Sequence, residues 1–318
     1  MELADRLIAG DRRALARSIT LAERNDPALR ELLQATRDRA GQAHVVGITG
    51  PPGGGKSTTS DGLIERWRQA GRTVGVIAVD PSSPFSGGAI LGDRVRMQRH
   101  TLDPGVYIRS MAARGHLGGL AAATRAAIRV LDGAGLDICL LETVGVGQSE
   151  LEVVTTADTV VLVITPSGGD GVQMIKAGIM EIPDVFVVNK ADLPGTDRVV
   201  KELRGLVHEA VHGGRRREDA GEGPPWEPPV LRCVASEGEG LDELVTAVDA
   251  HRAHQQESGG LARRRALRVR AEVEALVMEG AARRARARLR DGIPGLGDSG
   301  ALDRVDPWEI ADRVLAGE

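Results

Sequence analysis

A glycine-rich octapeptide has the residue types and the spacing of a phosphate-binding loop. It fits the pattern G-x-x-x-x-G-K-[ST], follows an apolar run directly and precedes a helix-compatible stretch. Its glycines let backbone N–H groups curl round a phosphate, and the start of the helix adds partial positive charge. Lys56 is expected to bridge the β- and γ-phosphate oxygens, and the Ser57 hydroxyl to bind Mg²⁺. The nucleotide-binding residues predicted here are Gly50, Pro51, Pro52, Gly53, Gly54, Gly55, Lys56 and Ser57.

A tetrapeptide far downstream has the residue types that read a guanine base. Asn189-Lys190-Ala191-Asp192 follows another apolar run and matches the N-K-x-D of GTP-binding proteins. The Asp192 carboxylate can accept from guanine N1–H and from the exocyclic amine, whereas adenine offers no matching pair of donors. Asn189 is expected to bond the N7 side of the base, and the stem of Lys190 to cover the ring. These contacts predict that GTP and GDP, rather than ATP, are the bound nucleotides.

A second segment is expected to complete the base site. The sixth apolar run leads into Val234-Ala235-Ser236, where a backbone N–H can meet guanine O6. We therefore count Val234, Ala235 and Ser236 among the nucleotide-binding residues.

Acidic residues at or near predicted strand ends are candidate Mg²⁺ ligands. Asp80 ends the second apolar run, Glu142 ends the third, and Asp93 lies between them. The carboxyl ends of parallel strands meet at one edge of a sheet, where the phosphate loop also lies. Asp80, Asp93 and Glu142 therefore join Ser57 as expected metal ligands, and with Lys56 they form the expected catalytic set.

The loop after Glu142 has features of a nucleotide-sensing switch. Gly145 and Gly147 give it freedom to respond to a γ-phosphate. Gln148 lies six positions after Glu142, whereas Ras-like switches place a glutamine four positions after their acid, where this chain has Val146. We therefore expect slow intrinsic hydrolysis that awaits a partner.

Six short apolar runs are the candidate strands that position these residues. Each is apolar along its whole length, as in strands buried on both faces of a parallel sheet, and helix-compatible stretches such as 57–70 and 117–134 separate them. The alternation predicts an α/β fold, a P-loop NTPase with a doubly wound, mostly parallel sheet. The runs are 44–49, 74–80, 138–143, 159–165, 185–190 and 230–235.

Helical extensions are expected on both sides of this domain. Residues 1–42 are predicted to form an N-terminal helical extension, residues 43–256 the GTPase domain and residues 257–318 a C-terminal helical extension for dimerisation. Residues 213–229, rich in glycine, proline and mixed charge, predict an exposed, mobile loop. The Arg- and Ala-rich residues 262–290 indicate either a helix with a solvated basic face or a helix that pairs with a protein partner, such as a second copy.

Composition excludes several functional classes. The 318 residues carry a net charge of -4, and 2% are aromatic, so neither a basic field nor stacked rings favour nucleic acid. Two cysteines exclude a disulfide framework and a cysteine-rich metal site. No signal pattern and no run of 18 apolar residues occur, so we expect a cytoplasmic protein without a membrane partner.

Six ordered motifs resemble the MeaB/ArgK-type GTPases, the G-protein chaperones of cobalamin-dependent acyl-CoA mutases. The motifs are GITGPPGGGKST, AVDPSSPFSGGAILGDRVRM, RSMAARGHLGGLA, LLETVGVGQSE, IKAGIMEI and VVNKAD. The resemblance implies a GTP- and Mg²⁺-dependent homodimer. It also implies that the dimer docks on an adenosylcobalamin-dependent mutase such as methylmalonyl-CoA mutase, gates cofactor delivery and protects the enzyme from inactivation.

The resemblance also extends to individual residues. It adds Thr58 to the phosphate loop and assigns residues 82–97 and 144–150 as switches. Relatives often have Ser-Ala where this chain has Val234-Ala235, so that contact must be made mainly by the backbone. Residues 165–167, Thr-Pro-Ser, replace a Leu- and Pro-rich run of many relatives, which is consistent with a different mutase, such as one acting on hydroxyisobutyryl-CoA.

Two alternative functions stay open at this stage. A metallochaperone GTPase would need clustered thiolate and imidazole ligands, and His208 and His212, one helical turn apart, could share a metal. Cys139 and Cys233, however, fall inside predicted strands, where buried cysteine is ordinary. A P-loop kinase or transport ATPase would transfer the phosphoryl group to a small molecule, against which the N-K-x-D segment argues.

Overall fold

The part of the chain that can be described falls into two compact units. The computed structural model describes residues 2–80, 98–112, 117–143, 153, 155–167, 183–212, 222–290 and 306–316. The units are residues 1–265 and 266–318. The larger unit contains the sheet and the predicted nucleotide site.

A seven-stranded parallel sheet, built from the described residues, is the centre of the larger unit. Its strands are β1 His44–Thr49, β2 Val74–Asp80, β3 Val106–Ala112, β4 Ile138–Thr143, β5 Thr159–Ile164, β6 Val185–Asn189 and β7 Val230–Cys233. They lie in the order β3-β2-β4-β1-β5-β6-β7, with every neighbouring pair parallel. Because the chain order reverses beside β1, the crevice for a ligand lies at the carboxyl end of β1. The predicted fold class is confirmed.

Strand β3 has no counterpart among the six predicted runs. It lies at the edge of the sheet and pairs with β2. Four of its seven residues are only partly buried, and Arg109 among them donates to the Glu23 carboxylate, with Nε 2.9 Å from Oε1. An edge strand that is only partly buried, with the polar residues Arg109 and Ser110 on opposite faces, lacks the continuous apolar character that identified the others.

Helices cover both faces of the sheet. The helices of the described residues are α1 Glu2–Ile8, α2 Arg12–Arg24, α3 Ala28–Ala35, α4 Lys56–Gln69, α5 Leu117–Gly133, α6 Thr196–His212, α7 Leu241–Glu257, α8 Gly260–Arg290 and α9 Pro307–Ala316, of which α9 and most of α8 belong to the smaller unit. Helices α1, α2, α3 and α5 share one core cluster with Val45 and Ile77. Helices α4 and α7 pack on the opposite face, against Val46 and Ile48. Alternate residues of one strand thus enter different cores, which explains the uninterrupted apolar runs.

Apolar residues at helical spacing on either side of Asn25-Asp26-Pro27 predict a hairpin of two helices in the N-terminal segment, but the segment contains three. Gly10, at φ 79°, and Asp11 interrupt the first predicted helix, and the Asp11 carboxylate accepts from Arg13 N–H at 2.8 Å. The second break follows the sequence signals: Asn25 adopts left-handed backbone at φ 49°, and Asp26 Oδ1 accepts from Ala28 N–H at 2.9 Å.

A buried polar cluster lies at the base of the sheet, where the strands begin. Thr159 Oγ1 is 2.7 Å from His44 Nε2 and 2.8 Å from His251 Nδ1. His251 Nε2 in turn lies 3.3 Å from the Asp184 carboxylate. Arg264 donates to both oxygens of Asp184, at 2.8 and 3.0 Å. The cluster therefore joins β1, β5 and β6 to α7 and to the first turns of α8.

His44 makes the stability of the folded protein depend on pH. Burial lowers the pKa of His44 to about 3, against the opposing attraction of Asp158. The unfolded chain binds this proton more tightly, so the stabilisation is complete above pH 6.5 and is lost as the pH falls toward 3. We expect the free energy of unfolding to fall by about 2 kcal/mol from this group between pH 7.5 and pH 5. Urea denaturation at both pH values should show that loss in the wild type and not in His44→Gln; equal pH dependence in the two proteins would contradict it.

The smaller unit presents apolar side chains to solvent along α8. Leu267, Val269, Val273, Leu276 and Val277 are 40–60% exposed. The predicted basic stretch 262–290 lies within this one helix of 31 residues. Among the described residues, no helix combines the length and the apolar character needed to cross a membrane.

Candidate nucleotide-binding site

The glycine-rich loop connects the carboxyl end of β1 to the first residue of α4. Gly50 has φ 138° and Gly55 has φ 90°, which disfavour any residue with a side chain. A Cβ at Gly50 would lie 2.0 Å from the carbonyl oxygen of Val163, and one at Gly55 would lie 2.1 Å from Asn189 Nδ2. The loop therefore requires glycine where it passes β5 and β6.

Lys56 lies with its ammonium group against the loop that it is expected to serve. Nζ donates to the carbonyls of Gly50 at 2.6 Å and Pro51 at 3.1 Å, and the side chain is 6% exposed. These contacts hold the cation at the rim of the phosphate cradle. A phosphate oxygen in the cradle would lie within reach of the same group.

Ser57 and Glu142 meet although 85 residues separate them in the chain. The parallel register places Glu142 beside Ile48, near the end of β1. Ser57 Oγ donates to Glu142 Oε1 at 2.6 Å, and Glu142 is 1% exposed. Hard oxygen donors of this kind suit Mg²⁺, so the pair fits the metal role predicted for both residues.

The structure describes less of the other two predicted metal ligands, Asp80 and Asp93. Asp80 is the last residue of β2, two strands away from β1 at the same edge. Asp93 lies outside the described residues, as do the predicted switch segments 82–97 and 144–150. The structure thus brings Ser57 and Glu142 together, whereas the ligand roles of Asp80 and Asp93 stay predictions.

Asn189 links the phosphate loop to the turn that was predicted to contact guanine O6. Its Nδ2 donates to Gly54 O at 2.9 Å, and its Oδ1 accepts from Ala235 N–H at 3.1 Å. The side chain is 3% exposed. Sequence reasoning gave Asn189 a contact with the base and missed this bridge, which joins residues far apart in the chain.

The remaining base-reading residues lie on the surface beside this bridge. Lys190 adopts left-handed backbone at φ 55°, and Ala191 N–H donates to Cys233 O at 3.0 Å, which fixes the turn after β6 to the end of β7. Lys190 and Asp192 are exposed, and Thr58 is exposed on the first turn of α4. The Asp192 carboxylate is therefore accessible to an incoming base.

The residues of the metallochaperone alternative do not form a metal site in the described part of the chain. Cys139 and Cys233 are buried in β4 and β7, and burial raises the pKa of Cys233 to about 12. His208 and His212 pack ring to ring on α6, with centroids 4.2 Å apart. Within the described part of the chain, no group of three or more His, Cys, Asp and Glu could hold a metal ion.

Comparison with known proteins decides the family. Residues 15–290 match the family described as "Methylmalonyl Co-A mutase-associated GTPase MeaB". The chain belongs to the MeaB family of GTPases. The resemblance seen in the sequence motifs is confirmed. This family member is a GTP hydrolase that binds guanine nucleotide.

Individual relatives agree with this MeaB-family assignment. A Pyrococcus horikoshii protein named as a GTPase is 48% identical over 99% of this chain and 96% of its own length. The methylmalonic aciduria type A homolog of mouse, a mitochondrial protein, is 35% identical over 97% of this chain and 77% of its own length. A crystal structure of an LAO/AO transport system kinase, 29% identical, superposes with a TM-score of 0.68 over 99% of this chain and 96% of that one.

Proposed function

We propose that this MeaB-family GTPase is a chaperone of an adenosylcobalamin-dependent acyl-CoA mutase, in which GTP binding and hydrolysis control cofactor loading and protection of the mutase. The contact between Ser57 and Glu142 beside the phosphate loop carries the nucleotide part of the proposal. The family description, which names methylmalonyl-CoA mutase, supports the choice of partner. A hydroxyisobutyryl-CoA mutase is the related candidate.

Each predicted site residue has a role in this proposal. Residues 50–58 surround the phosphates, with Lys56 on the β- and γ-phosphates. Asp192 selects guanine, Asn189 holds the phosphate loop beside the base, and the backbone of residues 234–236 faces O6. Because Gln148 does not have the Ras-like spacing, water is oriented poorly and intrinsic turnover is slow.

Mg²⁺ is the metal that the oxygen donors fit. Ser57 Oγ and the Glu142 carboxylate would hold it, with Asp80 and Asp93 as the further predicted ligands. When bound, it supplies positive charge to the β- and γ-phosphate oxygens. The protein's own part is to keep a buried carboxylate and a hydroxyl in place for it.

Removing the Ser57 hydroxyl should weaken Mg²⁺ binding at the site selectively. In Ser57→Ala, we expect the Mg²⁺ concentration for half-maximal GTP hydrolysis to rise about 10-fold or more, because one hydrogen-bonded oxygen ligand is lost. The matched control is Ser60→Ala, one turn along α4, where the buried hydroxyl has no hydrogen-bond partner in the described part of the chain. Steady-state rates across a Mg²⁺ series measure the effect. A shift of equal size in both variants would show a general loss of helix structure instead.

The mutase partner can be tested by binding and by rate. The chain is mixed with purified methylmalonyl-CoA mutase, and with a hydroxyisobutyryl-CoA mutase in parallel, and the complex and the GTPase rate are measured. We expect a stable complex with one of them and a change in the hydrolysis rate on mixing. If neither enzyme forms a complex or alters the rate, the chaperone role is wrong while the GTPase assignment stands.

We also propose that the chain is a homodimer. The exposed apolar side chains of α8 are the surface available for a second copy, since an apolar stripe of this length is unusual on a free helix. Light scattering should give twice the 33.6 kDa mass of one chain. A monomer at all concentrations would contradict this.

A kinase is the second candidate, because the solved structure named above carries that description. An isotopic label in the γ-phosphate of GTP distinguishes a GTPase from a kinase. A GTPase delivers the label to water as inorganic phosphate, whereas a kinase delivers it to a small-molecule acceptor.

A further inference from the structure

A cleft of about 630 Å³ lies at the base of the sheet, at the opposite ends of the strands from the phosphate loop. It is bounded by the segments that enter β1, β2 and β4 and by one side of α7. Its size is that of a small-molecule site. The charged side chains that line it are Arg39, Arg72, Asp137, Asp249 and Arg252.

Both carboxylates of the cleft already have donors from the protein. Asp249 accepts from Arg72 in a two-pronged pair, with Nη1–Oδ1 at 2.7 Å and Nη2–Oδ2 at 2.8 Å. Asp137 Oδ2 accepts from the Thr73 N–H at 2.7 Å and from the Thr73 hydroxyl at 2.8 Å. Three arginines and two carboxylates line the cleft, so its side chains carry one net positive charge.

Arg39 and Arg252 are the two arginines of the cleft that do not pair with its carboxylates. Arg252 Nη2 donates to the carbonyl of Gln42 at 2.6 Å. Within the described part of the chain, neither guanidinium lies within 4.0 Å of a carboxylate oxygen. Arg39 comes from the turn before β1 and Arg252 from α7, so two separate elements direct cations to one cleft.

The electrostatic surroundings of Arg252 indicate that neighbouring negative groups balance its positive charge only in part. Burial lowers the pKa of Arg252, and the positive charges of Arg265 and Arg72 act in the same direction against Asp158 and Asp249. A half-buried cation that is destabilised in this way gains from an anion beside it.

We propose that this cleft binds the phosphate group of a small molecule between Arg39 and Arg252. A phosphate monoester carries nearly two negative charges and three acceptor oxygens, so it can face two guanidinium groups at once. A carboxylate has one charge and two oxygens, which a single guanidinium saturates. The small volume of the cleft and the net charge of -4 disfavour nucleic acid as the source of the phosphate.

Calorimetric titration of protein saturated with GDP and Mg²⁺ tests the site without competition from the phosphate loop. The probes are glycerol 3-phosphate, a phosphate monoester, and inorganic phosphate. We expect one equivalent of a probe to bind, and Arg39→Gln and Arg252→Gln each to weaken it by about 10- to 100-fold, the value of a charged hydrogen bond. Tighter binding of the ester assigns a phosphorylated metabolite; equal or tighter binding of inorganic phosphate assigns the free ion.

Two control variants show whether the probe binds in the cleft or elsewhere. Arg37→Gln changes an arginine of the same turn whose side chain is 79% exposed and lies outside the cleft, and it should bind the probe as the wild type does. Lys56→Ala should also bind it normally. The proposal is overturned if no saturable binding is found up to 10 mM, if both cleft variants bind as the wild type does, or if Lys56→Ala abolishes binding. Arg39 is exposed, so we expect Arg39→Gln to fold and to test the site even if Arg252→Gln fails to fold.

Discussion

Lys56→Ala is expected to lower kcat/KM for GTP hydrolysis by about 10³-fold, which is about 4 kcal/mol of transition-state stabilisation. The ammonium group lies at the rim of the phosphate loop, within 2.6 Å of the Gly50 carbonyl and 3.1 Å of the Pro51 carbonyl. When the γ-phosphate leaves, charge develops on the oxygens that this group faces. Steady-state phosphate release at saturating Mg²⁺ measures the loss.

The control for this change is Lys201→Ala, which removes an exposed lysine from α6. It should hydrolyse GTP at the wild-type rate, and both variants should show the wild-type circular dichroism spectrum. If Lys56→Ala is folded and still hydrolyses GTP normally, the phosphate loop is not the site of the reaction.

Asp192→Asn is expected to weaken GTP binding by about 10²- to 10⁴-fold, because two charge-assisted hydrogen bonds to the guanine edge are lost. Xanthine has a carbonyl where guanine has the amine, and the new amide can donate to it. Xanthosine triphosphate should therefore bind the variant better than it binds the wild type. Asp192 is exposed, so the substitution leaves the core intact.

Competition between the two nucleotides on each protein measures this exchange of specificity. Asp197→Asn, a few residues away, removes a carboxylate with an 88% exposed side chain and should leave the preference for GTP unchanged. A variant at Asp192 that keeps both affinities of the wild type would show that another group reads the base.

The sequence predicted the strands of this fold well where they are buried on both faces. The runs at 44–49, 74–80 and 138–143 coincide with β1, β2 and β4, because these central strands have apolar residues on each side of the sheet. Strand β3 escaped prediction because this edge strand is only partly buried and carries the polar residues Arg109 and Ser110 among its apolar ones. The break at Gly10 was missed as well, since apolar spacing continues across it.

The site was predictable where local motifs define it and not where distant residues meet. GPPGGGKS specifies its own geometry, and the strand-end position of Glu142 brings it to Ser57. The bridge made by Asn189 could not be inferred, because it depends on how close β6 comes to the phosphate loop. His44 and His251, whose rings meet through Thr159, gave no signal either, since a histidine within an apolar stretch does not reveal its partner.

A crystal structure of the chain with GDP and Mg²⁺ tests the central claim most directly. We predict the β-phosphate inside residues 50–57, hydrogen-bonded to backbone N–H groups and to Lys56 Nζ, the metal on Ser57 Oγ, and the guanine N1–H and amine on the Asp192 carboxylate. A diphosphate bound elsewhere, or a base out of reach of Asp192 while the loop is filled, would contradict the account.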